Sequence, residues 1–191
     1  LAKRVLEPLG MHDSGFKPTE EQLSRRIDIY TVKKGEKAKR VDAMESMQRP
    51  FSDDRVFASS GAGLWTTARD QLKFYRMLMN LGLGENGVRI LKEETVKNLL
   101  ARSQRPKELG DGGYSLGLVA PYEDGEDEWF GHGGAWVSQC LVNWHRKELR
   151  MLVVQFDGGY EFRDVCAAAA NRFFEHAVDD SGVNAYTGRM K

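Results

Sequence analysis

A mixed α/β fold of the α+β kind is predicted by three patterns in this chain. A capped helical run over 68–81 carries apolar residues on two faces, a strand-rich stretch begins at Tyr114, and a clean helical stripe closes the sequence at Phe162, Val165, Cys166, Ala169, Ala170, Phe173 and Ala177. With 191 residues, the chain suits a single domain. A domain of that size buries roughly 68–72% of its unfolded surface and needs no disulfide or metal to hold it.

Each element has a local cause. Leu1, Val5 and Leu9 recur at helical spacing with Leu6 beside them and stop at Pro8-Leu9-Gly10, while no capping residue precedes Leu1. The chain is therefore expected to begin inside a helix. A turn-rich stretch follows. Ile27–Val32 and Ala38–Met44 then flank Lys33-Lys34-Gly35-Glu36-Lys37, a hairpin with glycine in its turn. The lysines there read as a solvated hairpin tip and not as a phosphate-binding patch, because no aromatic side chains are interleaved with them. Residues 50–60 read as irregular.

Gly61-Ala62-Gly63-Leu64-Trp65-Thr66-Thr67 leads into a helix over Ala68–Leu81. Thr67 and Asp70 stand as a capping box with Asp in place of Glu, and Gly82 provides the stop. Leu72, Tyr75 and Met79 mark one face and Phe74, Leu78 and Leu81 another, which implies burial on more than one side. A second helix is predicted over Lys92–Arg102, after a loop at 84–91. Strands are predicted at Tyr114–Ala120, Val137–His145 and Met151–Phe156, with an acidic tip at 123–128 and a charged turn at 146–148. The last strand is apolar on both alternating faces, the pattern of a strand covered by helices above and below. Residues 179–191 read as a loose tail.

Composition excludes several classes of partner. Lysine plus arginine equal aspartate plus glutamate at 28 each, so no global charge attracts nucleic acid or an anionic membrane. No apolar stretch approaches the roughly 20 residues of a membrane span, and no signal-peptide pattern opens the chain. Cys140 and Cys166 lie among apolar neighbours without metal-type spacing and are expected to be buried free thiols. The acidic tip lacks the spaced oxygen ligands of a calcium loop. His12, His145 and His176 have no ligand spacing, and Asp157-Gly158-Gly159 reads as a strand-ending turn. No cofactor or metal is expected.

The chemistry concentrates at Gly131-His132-Gly133-Gly134-Ala135-Trp136, between Trp129-Phe130 and the strand that starts at Val137. A cation-capable side chain followed by two glycines suits a site where backbone must approach a reacting carbonyl closely. Other segments keep it company: Pro8-Leu9-Gly10-Met11 with Ser14-Gly15-Phe16, Gly61 to Asp70 opening a helix, Gly87-Val88-Arg89-Ile90-Leu91, Tyr114-Ser115-Leu116-Gly117-Leu118, and the final alanine-rich helix. In this order they resemble the serine β-lactamase and penicillin-binding-protein-like hydrolases, including their esterase and D-aminopeptidase relatives. The resemblance covers nearly the whole chain and matches the C-terminal part of that fold.

That family works through three boxes: S-x-x-K with the nucleophile, Y-x-N or S-x-N, and K-T-G on a strand edge. His132-Gly133-Gly134 resembles the third box, with His for Lys and Gly for Thr. The resemblance implies a largely antiparallel sheet flanked by helices and incomplete without N-terminal elements. It also implies an oxyanion-hole donor in the backbone N–H of Ala135 and places Ser59 and Ser60 at the border of the pocket, in a lining or a loop-capping role; Trp136, next to the glycines, is a candidate wall of that pocket or a packing residue. Imidazole ordinarily titrates near about 6.5, so histidine in the box implies weaker dependence on a substrate carboxylate than lysine.

The first two boxes are not found. Ser14-Gly15-Phe16-Lys17 matches S-x-x-K but lies in a turn before Pro18, whereas a serine paired with lysine needs a helical turn to hold the two together. No Tyr or Ser is followed two places on by Asn. The chain is thus expected to be the C-terminal portion of a serine hydrolase acting on an amide or ester of a small molecule or peptide. Its partner would be an upstream segment of the same protein, and the family implies a periplasmic or secreted home. The alternatives are a non-catalytic module binding a ligand or peptidoglycan-like peptide, and an interaction domain pairing through its sheet edge.

Overall fold

The computed structural model describes residues 1–31, 35–41, 61, 63–101, 113–120, 129–134, 137–157, 168–169 and 172. Three helices and five strands are named in it: α1 Glu20–Ser24, β1 Ile29–Thr31, β2 Lys39–Val41, α2 Ala68–Met79, α3 Glu93–Leu99, β3 Phe130–Gly133, β4 Val137–Asn143 and β5 Glu148–Asp157. A mixed α/β fold is therefore present, as the patterns predict.

The strands form one sheet in the order β2-β1-β5-β4-β3. β1–β2, β3–β4 and β4–β5 are antiparallel, and β1 lies parallel to β5 through Tyr30↔Phe156 and Thr31↔Asp157. The predicted hairpin is β1–β2, with Gly35 at a φ of 82° in its connection. Between β4 and β5 the register shifts near Ser138, whose hydroxyl donates to the Val154 carbonyl (2.5 Å) and accepts from the Val154 N–H (3.2 Å). A side chain thus supplies the rung that the irregularity removes.

Helix α2 is the central packing element. Tyr75, Met77, Leu78 and Met79 are buried along it, with Met77 fully so, which accounts for its wide apolar surface. Its neighbours in the core are Leu6, Leu9 and Met11, Val96 and Leu100 from the α3 region, Leu118 and Ala120, and Phe130, Cys140 and Val142 from the sheet. Gly82 ends the helix region at a φ of 91°, and a Cβ there would lie 2.2 Å from the Leu91 carbonyl oxygen. Any side chain is excluded twice over at that position.

Several expectations are corrected. The opening segment is a 3-10 helix at Ala2–Arg4 followed by turns to Gly10 (φ 66°), in place of a regular helix to Leu9. The turn-rich stretch after Gly10 contains α1, nucleated by a reciprocal capping box between Thr19 and Gln22. At α2 only half of the proposed box forms. The Thr67 side chain accepts from the Asp70 N–H (3.2 Å), but the Asp70 carboxylate turns to other partners. Helix α3 is shorter than 92–102 at both ends; Lys92 provides no side-chain cap.

Tyr114–Ala120 is a tight turn and not a strand. Gly117 at a φ of 90° folds it back, Ser115 N–H donates to Leu118 O (2.8 Å), and Tyr114 and Val119 form an antiparallel bridge. β4 ends at Asn143, two residues short of His145. There the buried Asn143 Oδ1 accepts from the Arg146 N–H (2.9 Å) and Lys147 takes a φ of 58°. On β5, Met151 packs on the core while Val153 is 42% exposed. The acidic tip and the residues from 179 onward lie outside the described residues, as does the closing helical stripe apart from Ala169, which is helical, as are residues 168 and 172 beside it. Among the described residues no helix is long and apolar enough to cross a membrane.

Candidate functional site

β3 carries the glycine step. It begins at Phe130, 2% exposed and locked into the core, and runs antiparallel to β4 through Phe130↔Val142, Gly131↔Leu141, His132↔Cys140 and Gly133↔Gln139. Gly131 is required by the fold: a Cβ there would stand 2.0 Å from the Cys140 carbonyl oxygen. Gly133 and Gly134 are not so constrained. Among the described residues, a Cβ at either would meet nothing closer than the Ser138 carbonyl oxygen, at 3.9 and 3.6 Å. Both residues are exposed, as is His132.

The hydrogen-bond pattern of β3 shows which way its backbone faces. On the outer side Gly131 donates to Val119 O (3.1 Å) and accepts from the Val119 N–H (2.6 Å); on the inner side the Gly134 N–H donates to Ser138 O (2.6 Å). Antiparallel strands present their polar groups to alternate sides. The N–H and C=O of Gly133 therefore face outward like those of Gly131, and among the described residues they have no backbone partner. Among the described residues this leaves an open strand edge one residue past His132.

Two side chains frame the histidine. Tyr114 stands with its ring perpendicular to the His132 imidazole, 6.0 Å between centroids and 87° between planes. Cys140, directly opposite on β4 and so on the same face of the sheet, is buried against α2. Burial pushes its thiol up to about 12, only partly offset by its hydrogen bond with the Tyr75 hydroxyl. A thiol in that environment stays protonated and inert at neutral pH, which removes it as a nucleophile.

Ser14 occupies a different place. Its hydroxyl lies 2.8 Å from Thr66 Oγ1 and donates to Asp70 Oδ2 at 2.9 Å. Asp70, 3% exposed, also accepts from the Asp13 N–H (2.8 Å) and from Lys73 Nζ (2.9 Å), and Lys73 donates further to the Gly10 carbonyl. Gly15 and Trp65 exchange two backbone hydrogen bonds of 2.9 Å beside it. The network ties residues 10–15 to the start of α2. Lys17, the other member of the S-x-x-K match, is exposed and takes no part in it.

Of the residues singled out from the sequence, the structure brings His132, Gly133 and Gly134 together at the end of β3. Ala135, Trp136, Ser59 and Ser60 lie outside the described residues, as do Cys166 and His176. His12 is exposed in the turn after Gly10, and the His145 ring lies tilted at 44° to that of Trp144, 4.6 Å between centroids. Among the described residues no group of three or more His, Cys, Asp or Glu is placed to hold a metal. Sequence reasoning missed Tyr114 as a site residue. The available signal was Gly117, whose position in the middle of an apolar run marks a fold-back that returns Val119 to β3.

A family model described as Beta-lactamase matches residues 1–172. Two proteins of Mycobacterium tuberculosis, from strains CDC 1551 / Oshkosh and H37Rv, are each 35% identical over 103 residues, covering 54% of this chain and 24% of the relative. Among solved structures, unliganded simvastatin synthase (LovD) from Aspergillus terreus superposes with a TM-score of 0.74 at 18% identity, over 98% of this chain and 50% of that one. Its LovD6 mutant gives 0.68 at 17% identity, over 92% and 49%. At such identities the likeness is one of fold. The chain spans about a quarter of the length of the curated relatives and about half of the synthase.

Proposed function

Because the chain belongs to the Beta-lactamase family, we propose that it supplies the third-box side of a serine hydrolase site, whose nucleophile and second box lie upstream of Leu1. The observation that carries this reading is the pair Gly133-Gly134. Among the described residues nothing stands closer than 3.6 Å to a Cβ at either position, yet glycine occupies both, on exposed residues next to His132. A bare backbone there suits the close approach of a substrate carbonyl.

In the proposed reaction the upstream serine attacks an amide or ester carbonyl and forms an acyl-enzyme, and the amine or alcohol departs with a proton. Water then releases the acid. The Ala135 N–H, next to Gly134 in the motif, serves as an oxyanion donor; loss of one such donor costs on the order of 10²–10³ in rate. His132 donates a hydrogen bond at the mouth of the site, while Ser59, Ser60 and Trp136 border the pocket. Ser14 is set aside as nucleophile because its hydroxyl is committed to Asp70 and Thr66.

The test is the intact mass of the full-length protein, and separately of this chain, after exposure to a penicillin and to an activated acyl ester, with peptide mapping of any adduct. A stoichiometric adduct on an upstream serine is expected. An adduct on Ser14 would make this chain self-sufficient, whereas binding without any adduct would favour a non-catalytic module of the same fold.

A further inference from the structure

We infer that Tyr114 is a positioning residue for His132, an inference that rests on the reading of β3 as the third-box strand. The two rings meet edge to face at 6.0 Å and 87°. The tyrosine is brought there by a hydrogen-bonded turn: Gly117 reverses the chain at a φ of 90°, Tyr114 bridges to Val119, and Val119 exchanges two hydrogen bonds with Gly131, the residue just before the histidine. Ring and imidazole are therefore fixed to the same strand from two directions.

The arrangement answers a need. His132 is exposed at a strand end, where an imidazole would otherwise sample several rotamers and spend only part of its time aimed at the substrate. A perpendicular aromatic neighbour selects one. Aromatic pairs of this geometry contribute an effect of about 2- to 12-fold in an equilibrium, which sets the size of the change to look for.

The test compares the full-length protein with its Tyr114→Phe and Tyr114→Leu variants by two readouts: kcat and KM for an activated acyl ester, and the ring resonances of His132 in protein carrying isotope-labelled histidine. Tyr114→Leu is expected to lower kcat by about 2- to 12-fold with little change in KM, and to move the His132 resonance towards that of a free side chain. Tyr114→Phe keeps the ring and is expected to stay within about 2-fold of the parent in both, because the hydroxyl is not part of the pair. In a His132→Ala background the Tyr114→Leu effect should vanish. The same loss in that background, or an unmoved His132 resonance, overturns the inference. If the parent protein forms no acyl adduct and turns over no ester, the hydrolase reading falls, and the resonance comparison alone decides whether Tyr114 orients His132.

Discussion

Gly131 and Gly133 stand two residues apart on one strand and answer to different constraints. The first lies against the Cys140 carbonyl and has no room for a Cβ; at the second, the nearest described atom to one is the Ser138 carbonyl oxygen, at 3.9 Å. Gly131→Ala is expected to push β3 from β4 and cost about 1–3 kcal/mol, read as a lowered urea midpoint. Gly133→Ala should leave the stability within about 0.5 kcal/mol of the parent and instead slow acylation in the full-length protein. A Gly133→Ala variant that acylates at the parent rate would remove the functional reason for that glycine. The sequence motif treats these glycines as one signal. What separates them is a carbonyl nine residues away on another strand, invisible until the register Gly131↔Leu141 is known.

At the scale of elements, α2 was the most legible part of the chain because its signals are local. Thr67 caps it, apolar residues mark its faces and Gly82 stops it. Thr67→Ala should cost about 1 kcal/mol, measured by chemical denaturation. The destination of Asp70 was not legible, since Asp13 and Ser14 approach it from 57 and 56 residues away. Asp70→Ala removes the acceptor shared by an N–H, a hydroxyl and an ammonium. A loss of about 1.5–3 kcal/mol is expected, with limited proteolysis newly cutting near residues 10–17; an unchanged digest would show that the apolar contacts of Leu9 and Met11 suffice to hold that segment. The 113–120 turn was misread for the opposite reason. Its apolar residues have a strand-like spacing, but Leu118 is buried and Leu116 is 66% exposed because Gly117 turns the chain between them.

At the scale of the whole molecule, the fold class and the β1–β2 hairpin follow from pattern, whereas strand order depends on pairings between distant residues and does not. The core has its own signature in alkali. Cys140 and Tyr75 are both raised by burial, the thiol from 9.0 to about 12. An acid whose folded pKa is raised keeps its proton after the unfolded chain has lost its own, so the unfolded state binds fewer protons and stability falls as pH increases. The stability is fully present below pH 9, and the loss should begin there and continue towards about pH 12. Melting temperature measured from pH 7 to 11 is expected to fall above pH 9, and to fall less in Cys140→Val; identical curves would show that the thiol does not carry the effect. The parallel contact of Tyr30 and Thr31 with Phe156 and Asp157 has a consequence for biosynthesis. On the ribosome the β1–β2 hairpin can close within moments of emerging, but its partner strand is made only after most of the chain has followed. Two short strands are marginal alone, so the nascent protein carries an unfinished sheet edge until β5 has been made.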